Sequence, residues 1–270
     1  MQGLFTFTDQ KILASFTNRF GLEPNELSPD DVLDKIANAL QALPYENLTK
    51  IIKSDAVINV QSAMRFPDEV CADFIACATG GTCFSLTAMF VALLRHFHFE
   101  AHPILADRHY GPDTHCALVV RRWAGWALLD PGYLIHRPLA LPETVAISHD
   151  NGFNTLELVP VNDGVRVELY TIVNGNRRLR LTYKTQPVDE AKFRSAWAQS
   201  FAWEMMTYPV LTRCTNDVHH YLQGKVLKER NRERTQRTTL DIEQQGEFIT
   251  RTIGIKPDIL KKAFSVVKHG

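Results

Sequence analysis

Cys83 is the residue whose setting in the chain most strongly suggests chemistry. It follows Thr79-Gly80-Gly81-Thr82 and precedes Phe84, at the start of a long apolar stretch. Paired glycines permit a tight backbone approach and a positive φ. A cysteine in the first turn of a helix meets free N–H groups and the positive end of the helix dipole, which favour thiolate over thiol. Because a lone buried cysteine is commonly a small core residue, the segment needs a partner base before it indicates a nucleophile.

Two downstream segments supply a base and a carboxylate. His115 opens an apolar run that continues to Val120, and Asp130 ends the run 126–130, just before Pro131-Gly132-Tyr133. If these runs are antiparallel strands joined through residues 121–125, His115 and Asp130 are cross-strand neighbours on one face. The carboxylate then fixes the imidazole tautomer, and the other ring nitrogen takes the thiol proton. The sequence therefore predicts a triad of Cys83 as nucleophile, His115 as base and Asp130 as orienter.

The elements before Cys83 read as helices. Thr8 is predicted to cap a helix that runs to Phe20, and Ser28-Pro29 opens a second helix that Pro44 ends. A third helix is expected at 67–77. The run 83–97 is apolar on nearly every side, which is typical of a fully buried helix. Cys83 is therefore expected near the centre of the protein.

Beyond residue 100 the pattern changes to strands with Asn/Asp-Gly turns between them. Five or six strands in a meander or small barrel are expected for residues 100–186. Past Pro187 the pattern predicts a helix over 189–206, a strand pair near 224–240 and a final helix over 257–267. The predicted fold class is α+β, in three units: a helical bundle over 1–98, an antiparallel β-barrel-like domain over 99–186, and an α/β lid over 187–270.

Composition excludes several function classes. The 30 basic residues balance the 30 acidic ones, so no electrostatic case exists for nucleic acid as a partner. No apolar window is long enough for a membrane helix, and the first residues lack a basic leader. Five cysteines without a disulfide spacing indicate a reduced, cytoplasmic protein. A further group is close in sequence but lacks paired ligand spacing, so no metal site is predicted from it. Its members are His96, His98, His102, His109 and Cys116.

Four motifs in order resemble those of the arylamine N-acetyltransferases. They are Gly80-Gly81-Thr82-Cys83-Phe84, Thr114-His115, Asp130-Pro131-Gly132-Tyr133, and upstream Leu43-Pro44-Tyr45-Glu46-Asn47-Leu48, which is similar to that family's Leu-Pro-Phe-Glu-Asn-Leu segment. The resemblance implies a papain- and transglutaminase-like catalytic core. The motifs span residues 43–134, and the length and order of elements extend the resemblance over the chain.

The resemblance implies acyl transfer in two steps. Acetyl-CoA would acylate Cys83 and release CoA, and an amine would then attack the thioester with His115 as general base. The oxyanion would be held partly by the Cys83 backbone N–H. The implied partners are a small amine acceptor and an acyl-CoA or acyl-carrier donor, with no permanently bound cofactor.

Departures from the family pattern keep a second hypothesis open. Thr82 stands where the family usually has an aromatic residue, Ser85 replaces an acid or amide, Pro131 follows the aspartate, and Leu134 replaces a glycine. A transglutaminase-like amide synthase or amidohydrolase, acting on a carrier-bound or amide substrate, would use the same triad.

Two further features have both a structural and a functional interpretation. The basic run 225–237 reads as a solvated strand pair, or as a site where Lys225, Arg230 and Arg232 contact the phosphates of CoA or phosphopantetheine. Trp203 and Tyr208 lie at the junction with the last unit, where they form either an aromatic wall for an aryl substrate or ordinary interdomain packing.

Overall fold

The computed structural model describes residues 3–22 and 28–267, and the chain before Cys83 is helical as expected. Asp9, and not the predicted Thr8, caps the first helix, because its carboxylate accepts from the backbone N–H groups of Lys11 and Ile12. Ser28 caps the second helix as predicted and forms a capping box with Asp31. The helices of this part are α1 (Gln10–Arg19), α2 (Pro29–Ala42), α3 (Leu48–Ala56), α4 (Val60–Ala63), α5 (Pro67–Cys77) and α6 (Cys83–His96).

Helix α6 is the centre of the N-terminal part. Its first 12 residues, from Cys83 to Leu94, are all buried, which confirms the buried helix predicted from its apolar composition. Thr82 precedes it without a side-chain capping hydrogen bond. The N–H groups of its first turn are therefore left without a capping side chain.

An eight-stranded antiparallel sheet follows within residues 101–184 and curls into a half-barrel. The strands are β2 (Ala101–Arg108), β3 (Gly111–Arg122), β4 (Gly125–Asp130), β5 (Ile135–Ala140), β6 (Ile147–Asp150), β7 (Thr155–Val161), β8 (Arg166–Val173) and β9 (Asn176–Lys184). Their order in the sheet is β5-β4-β3-β2-β9-β8-β7-β6. The prediction of five or six strands was too low, because β5 contains Pro138 and β6 is only four residues long, so neither reads as a strand in the sequence.

The last part combines a helix, a second sheet and two terminal helices. The predicted helix over 189–206 ends early: α7 (Glu190–Gln199) is followed by two 3₁₀ turns, Ser200–Ala202 and Glu204–Met206. The predicted strand pair is present as β12 (Val226–Arg230) and β13 (Thr235–Thr239). It belongs to a five-stranded sheet with β10 (Val210–Thr215), β11 (Val218–Gln223) and the short β1 (Tyr45–Glu46). Two helices follow, α8 (Ile242–Phe248), extended by a π-helical turn (Ile249–Ile253), and α9 (Pro257–Val266).

Three apolar clusters hold these parts together and confirm the predicted α+β class. The first packs the N-terminal helices and α7 against one face of β2, β3 and β4. The second fills the inner face of the half-barrel, and the third packs α8 and α9 against the second sheet and Leu48. Within residues 3–22 and 28–267, no helix has the length and apolar character needed to span a bilayer.

Candidate active site

The Gly80-Gly81 segment brings two distant parts of the chain into backbone contact. A Cβ on Gly80 would lie 1.9 Å from the Pro44 carbonyl oxygen. The Gly81 carbonyl accepts from the Glu46 backbone N–H at 3.0 Å. Neither glycine has a positive φ, so of the two properties that a glycine pair permits, the close approach is the one used here. This contact fixes the segment 43–48 beside the start of α6.

Arg65 holds the carbonyl side of the same loop. The buried guanidinium donates to the Gly80 carbonyl oxygen at 2.7 Å and to the Thr49 hydroxyl at 2.6 Å. It also pairs with Asp73 at 2.7 Å and lies 3.7 Å from the buried Glu46 carboxylate. One cation therefore ties the Cys83 loop to the continuous stretch 46–49, through Glu46 and Thr49, and to α5, through Asp73.

The structure brings Cys83, His115 and Asp130 together. All three are buried, with exposed fractions of 2 %, 0 % and 0 %. His115 Nε2 lies 2.7 Å from Asp130 Oδ2. That bond leaves Nδ1 for the Cys83 thiol, which hydrogen-bonds to the His115 side chain. Asp130 is the last residue of β4, but His115 lies inside β3, which begins at Gly111. The register Leu118↔Leu129 places His115 and Asp130 diagonally across the two strands, and not directly opposite as expected.

Asp130 is held by four hydrogen bonds. Oδ2 accepts from His115 and from the Tyr183 hydroxyl, the latter at 2.6 Å, and Oδ1 accepts the backbone N–H groups of Gly132 and Tyr133 at 2.8 and 3.1 Å. Burial opposes the charged carboxylate, but these bonds and the His115 charge lower the pKa of Asp130 below its usual value. A Cβ on Gly132 would lie 2.6 Å from the His115 ring, so glycine is required at this turn.

The electrostatics favour a thiolate–imidazolium pair. The pKa of Cys83 lies well below its usual value. The largest cause is a hydrogen bond with the Cys116 side chain. Burial opposes the charged thiolate, but the hydrogen bond and charge of His115 lower the pKa further. Burial and the nearby Arg108 charge work against the charged imidazole, but the Asp130 charge and the hydrogen bonds to Asp130 and Cys83 outweigh them and raise the pKa of His115. A nucleophilic cysteine needs this combination of a lowered thiol pKa and an adjacent oriented base.

Cys116 is a site residue that sequence reasoning placed only among possible metal ligands. It is fully buried, and its thiol lies 3.6 Å from the Thr87 hydroxyl. Burial, and then the hydrogen bond and charge of Cys83, raise its pKa well above the usual value. Cys116 therefore remains a thiol, whose one proton is donated to the Thr87 hydroxyl here and can turn to the Cys83 sulfur when that sulfur is charged. Its position directly after His115 was the available signal.

Arg108 is a second residue that the sequence did not single out. One guanidinium nitrogen, Nη2, lies 3.2 Å from His115 Nδ1, and Nη1 donates to the Tyr110 hydroxyl at 2.9 Å. The group lies over the rings of Tyr133 and Tyr110, at 5.4 and 5.9 Å from their centroids. The Arg108 charge also lowers the pKa of Cys83. Its place at the end of β2 gave no local sequence signal.

Two residues of the N-terminal part, Asn47 and Lys50, hold the segment 200–210, which contains the aromatic residues Trp203 and Tyr208. Asn47 donates to the carbonyls of Met205 and Tyr208 at 2.5 and 2.9 Å, and its Oδ1 accepts the Val210 N–H. Lys50 donates to Ser200 Oγ and to its carbonyl oxygen at 2.6 and 2.8 Å. Trp203 packs on Phe84, which follows Cys83, with ring centroids 6.2 Å apart.

The three residues predicted to contact phosphates lie in different settings. Arg232 is exposed and pairs with Asp150 at 3.2 Å, and Lys225 stands in the turn before β12. Arg230 is buried, and its charge lies close enough to lower the pKa of Lys228. Burial and then four cations lower the pKa of Lys228 to about 8: Arg230, Arg237, Arg180 and Arg178. Arg230 is thus part of a cationic cluster that spans β9, β12 and β13.

No metal centre forms from the histidine-rich stretch. Among the residues described, no group of three or more His, Cys, Asp or Glu side chains is arranged to hold a metal ion. The ring of His96 packs on Phe97, and that of His102 packs on Trp126.

A buried thiol paired with an imidazole that a carboxylate orients, in an α+β fold, is the arrangement of cysteine-dependent transferases and hydrolases. Known proteins narrow the class. A family model described as N-acetyltransferase matches residues 31–261. The chain therefore belongs to the arylamine N-acetyltransferase family, and it is an enzyme.

Solved structures share the fold over nearly the whole chain. The arylamine N-acetyltransferase of Mycobacterium abscessus superposes with a TM-score of 0.75 at 17% identity, covering 96% of this chain and 95% of that one. That of M. smegmatis gives 0.76 at 19% identity, with 95% and 99% covered. The M. marinum enzyme in complex with CoA gives 0.75 at 15% identity, with 95% and 100% covered. No curated protein sequence matches the chain.

Proposed function

We propose that this enzyme transfers an acetyl group from acetyl-CoA to an arylamine through a thioester on Cys83. The observation that carries the proposal is the buried hydrogen-bonded chain from the Cys83 thiol through His115 to Asp130. Family membership supports acetyl transfer, and the CoA complex of the M. marinum structure supports CoA as the carrier.

In the first half-reaction the Cys83 thiolate attacks the thioester carbonyl carbon of acetyl-CoA. The carbonyl oxygen gains negative charge as the tetrahedral intermediate forms. When the carbonyl re-forms, the bond to the CoA sulfur breaks, and the proton held by His115 goes to that sulfur. Acetyl-Cys83 and CoA–SH result, with His115 neutral and still held by Asp130.

In the second half-reaction the arylamine nitrogen attacks the acetyl-Cys83 carbonyl. His115 Nδ1 removes a proton from the nitrogen, so the leaving thiolate faces an imidazolium again. Asp130 keeps the ring oriented throughout and stabilises the imidazolium. The amide leaves, and the resting ion pair is restored without net consumption of protons by the enzyme.

The start of α6 is suited to hold the oxyanion. Cys83 is the first residue of the helix, and the preceding Thr82 forms no side-chain cap. The Cys83 backbone N–H is therefore one of the N–H groups that lack a partner within the helix, at the positive end of the helix dipole. A donor of this kind in a water-poor site stabilises the developing charge.

Burial of the triad supports transfer over hydrolysis. Cys83 is only 2 % exposed, so bulk water has little access to a thioester formed there. The amide synthase or amidohydrolase alternative uses the same three residues, and the products separate it from acetyl transfer.

The cationic cluster around Lys228 supports the binding of CoA phosphates. Arg178, Arg180, Arg230 and Arg237 all lie close enough to Lys228 for their charges to lower its pKa. Mutual repulsion of this kind is relieved when a polyanion binds. Of the residues predicted from sequence, Arg230 belongs to this group; contacts from Lys225 and Arg232 remain part of the proposal.

The test is incubation with acetyl-CoA followed by intact-protein mass spectrometry and product analysis. We expect one acetyl adduct on the wild type, its loss in Cys83→Ala, and its retention in the control Cys77→Ala, which removes a partly exposed thiol at the end of α5. Addition of an arylamine should discharge the adduct as the acetylated amine.

Other products would overturn parts of this proposal. Failure of acetyl-CoA and other acyl-CoAs to leave an adduct rules out the CoA-dependent mechanism. Release of ammonia, or consumption of an acyl carrier without free CoA, identifies the amidohydrolase or amide synthase instead.

A further inference from the structure

A second thiol lies against the nucleophile. Cys116 is on the face of β3 that packs on α6, together with Leu118 and Val120 of the first apolar cluster. Its sulfur lies 3.6 Å from the hydroxyl of Thr87. Because Thr87 follows Cys83 by four residues in α6, the two side chains are neighbours on one face of that helix. The Cys116 sulfur thus approaches α6 close to the Cys83 sulfur, and the two side chains hydrogen-bond.

His115 and Cys116 approach Cys83 from opposite faces of the same strand. Neighbouring residues of a strand project to opposite sides of the sheet. His115 is opposite Ala106, which is in turn opposite Tyr183, so all three are on the inner face of the half-barrel. Cys116 is on the outer face, against α6. A covalent bond between the two sulfurs therefore does not require His115 to leave Asp130.

The two sulfurs differ in reactivity. Cys83 has a pKa well below the usual value, so its sulfur carries the negative charge that a peroxide oxidises. Burial and the neighbouring Cys83 raise the pKa of Cys116, which stays a thiol. A cleft that admits an acyl thioester to Cys83 also admits hydrogen peroxide, a much smaller molecule. The pair thus combines an oxidisable thiolate with a second thiol beside it.

We propose that Cys116 is a resolving cysteine, which forms a reversible disulfide with Cys83 after a peroxide has oxidised the nucleophile. The disulfide would stop acylation for as long as it lasts and would keep Cys83 from irreversible oxidation. This inference goes beyond the transfer reaction, because it requires only the two thiols and an oxidant.

Hydrogen peroxide is the only oxidant that the chemistry needs. The Cys83 thiolate attacks one peroxide oxygen, and the O–O bond breaks. The released hydroxide takes the imidazolium proton of His115 and leaves as water. The Cys116 sulfur then attacks the sulfur of the Cys83 sulfenic acid, the S–O bond breaks, and the hydroxyl leaves with the Cys116 proton as a second water. The two sulfurs have together lost two electrons, which the peroxide has gained.

The test treats the protein with increasing amounts of hydrogen peroxide, blocks free thiols with N-ethylmaleimide and maps the cysteines by non-reducing peptide mass spectrometry. We expect the wild type to give one peptide pair joined through Cys83 and Cys116, in a yield that does not depend on protein concentration. Dithiothreitol should return nearly all of Cys83 to a thiol that iodoacetamide alkylates.

Cys116→Ser keeps a hydrogen-bond donor beside Cys83 but cannot form a disulfide. In this variant dimedone should label the Cys83 sulfenic acid, and further peroxide should convert it to a sulfinic acid that dithiothreitol does not reduce. The recovered fraction of alkylatable Cys83 should therefore be small. Cys77→Ser is the matched control, since it removes a partly exposed thiol and should behave as the wild type does.

Three results overturn the inference: Cys83 is not oxidised by peroxide, its disulfide partner is another cysteine, or the wild type accumulates sulfinic acid as fast as Cys116→Ser does. The wild-type peptide pair is scored without any variant, so this measurement holds even if Cys116→Ser does not fold.

The masses of the cysteine peptides separate this inference from the proposed function. If no acyl-CoA acylates Cys83 but the disulfide with Cys116 forms, acetyl transfer fails and the resolving cysteine stands. If acetyl-CoA leaves its adduct on Cys83 but peroxide gives no such disulfide, the resolving cysteine fails alone.

Discussion

Around the Cys83 sulfur, three groups stabilise its anion from different directions. Cys116 of β3 lowers the pKa of Cys83 through its thiol, His115 through a hydrogen bond and a positive charge, and Arg108 through a second charge. Because the site is buried, each interaction is stronger than it would be in water. Because Cys116 stays neutral, it stabilises the thiolate without changing the charge balance between His115 and Asp130.

Removal of the Cys116 thiol should weaken the nucleophile. In Cys116→Ala the Cys83 pKa should rise by about one unit, because one hydrogen bond of about 1 kcal/mol to the thiolate is lost. Since the thiolate is the reactive form, alkylation speeds up as pH rises through the thiol pKa, and the midpoint of this increase should move to higher pH. Iodoacetamide alkylation, resolved by peptide mass spectrometry, measures the midpoint at Cys83 alone.

The control for this substitution is Cys116→Ser, which keeps a donor and should restore most of the low midpoint. An equal midpoint in wild type and Cys116→Ala would show that His115 and Arg108 suffice, and that Cys116 is only a packing residue.

At the scale of elements, the catalytic helix is fixed through the loop that precedes it. Gly80 and Gly81 accept backbone contact from Pro44 and Glu46, and Arg65 holds the Gly80 carbonyl from the other side. The start of α6 is therefore positioned by backbone and charged contacts on both sides of the loop. The apolar side chains along the rest of α6 pack into the core and fix the position of the helix along its length.

Gly80→Ala should lower both stability and acylation rate. The added Cβ would lie 1.9 Å from the Pro44 carbonyl oxygen, a backbone atom that cannot move without moving the segment 43–48. We expect a loss of about 1–3 kcal/mol in the free energy of unfolding, the usual effect of overpacking, and slower Cys83 acetylation. Urea denaturation and the rate of adduct formation measure the two effects.

Gly246→Ala is the matched control in helix α8, where an added Cβ meets no atom within 4 Å. Alanine should stabilise this helix by about 0.5–1 kcal/mol and leave acylation unchanged. If Gly80→Ala behaves like Gly246→Ala, the close approach at Pro44 does not constrain the catalytic loop.

At the scale of the molecule, the three parts of the chain share elements and buried polar contacts. The N-terminal part supplies β1 to the sheet of the last part, and Cys116 of the half-barrel donates to Thr87 of α6. Lys50 of α3 reaches the 3₁₀ turn at Ser200, and its Nζ lies 4.2 Å from the centre of the Phe201 ring. The site is thus closed by contacts between segments far apart in sequence.

Lys50 should make stability depend on pH. Burial lowers its pKa to about 7, against a smaller opposing effect of Cys83 and Cys116. Between pH 7 and the unfolded pKa near 10.4, the unfolded chain holds a proton that the folded protein lacks, so this group's contribution to stability increases as pH rises. Lys50→Met should remove that increase.

Urea denaturation of wild type and Lys50→Met from pH 7 to 9 measures the difference in unfolding free energy at each pH. As the pH rises, the unfolding free energy of the wild type should increase steadily relative to that of Lys50→Met. Lys11→Met, at an exposed position in α1, is the control and should show a constant difference. A constant difference for Lys50→Met as well would mean that the lysine keeps its proton in the folded protein.

Local sequence patterns by themselves determined the α+β class, the buried helix opened by Cys83, and the order of Cys83, His115 and Asp130. Each of these depends on short-range signals: a capping residue, a period of apolar residues, or a polar residue at the end of an apolar run. Because each such signal involves only a few neighbouring residues, it can be recognised without knowing how the rest of the chain folds. They failed at Thr8 and over 200–206, where neighbouring polar groups compete for the same backbone bonds.

Only the tertiary structure placed Cys116, Arg108, Arg65 and Lys50 around the site. Each gains its role from partners in other elements or turns, and a burial or contact of this kind follows from packing between elements, which no local period encodes. The same reason brings Arg230 together with Arg178 and Arg180 of β9, which the basic run by itself did not indicate. Cys83 could be found from its neighbours in sequence, whereas the groups that set its charge could be found only from its neighbours in space.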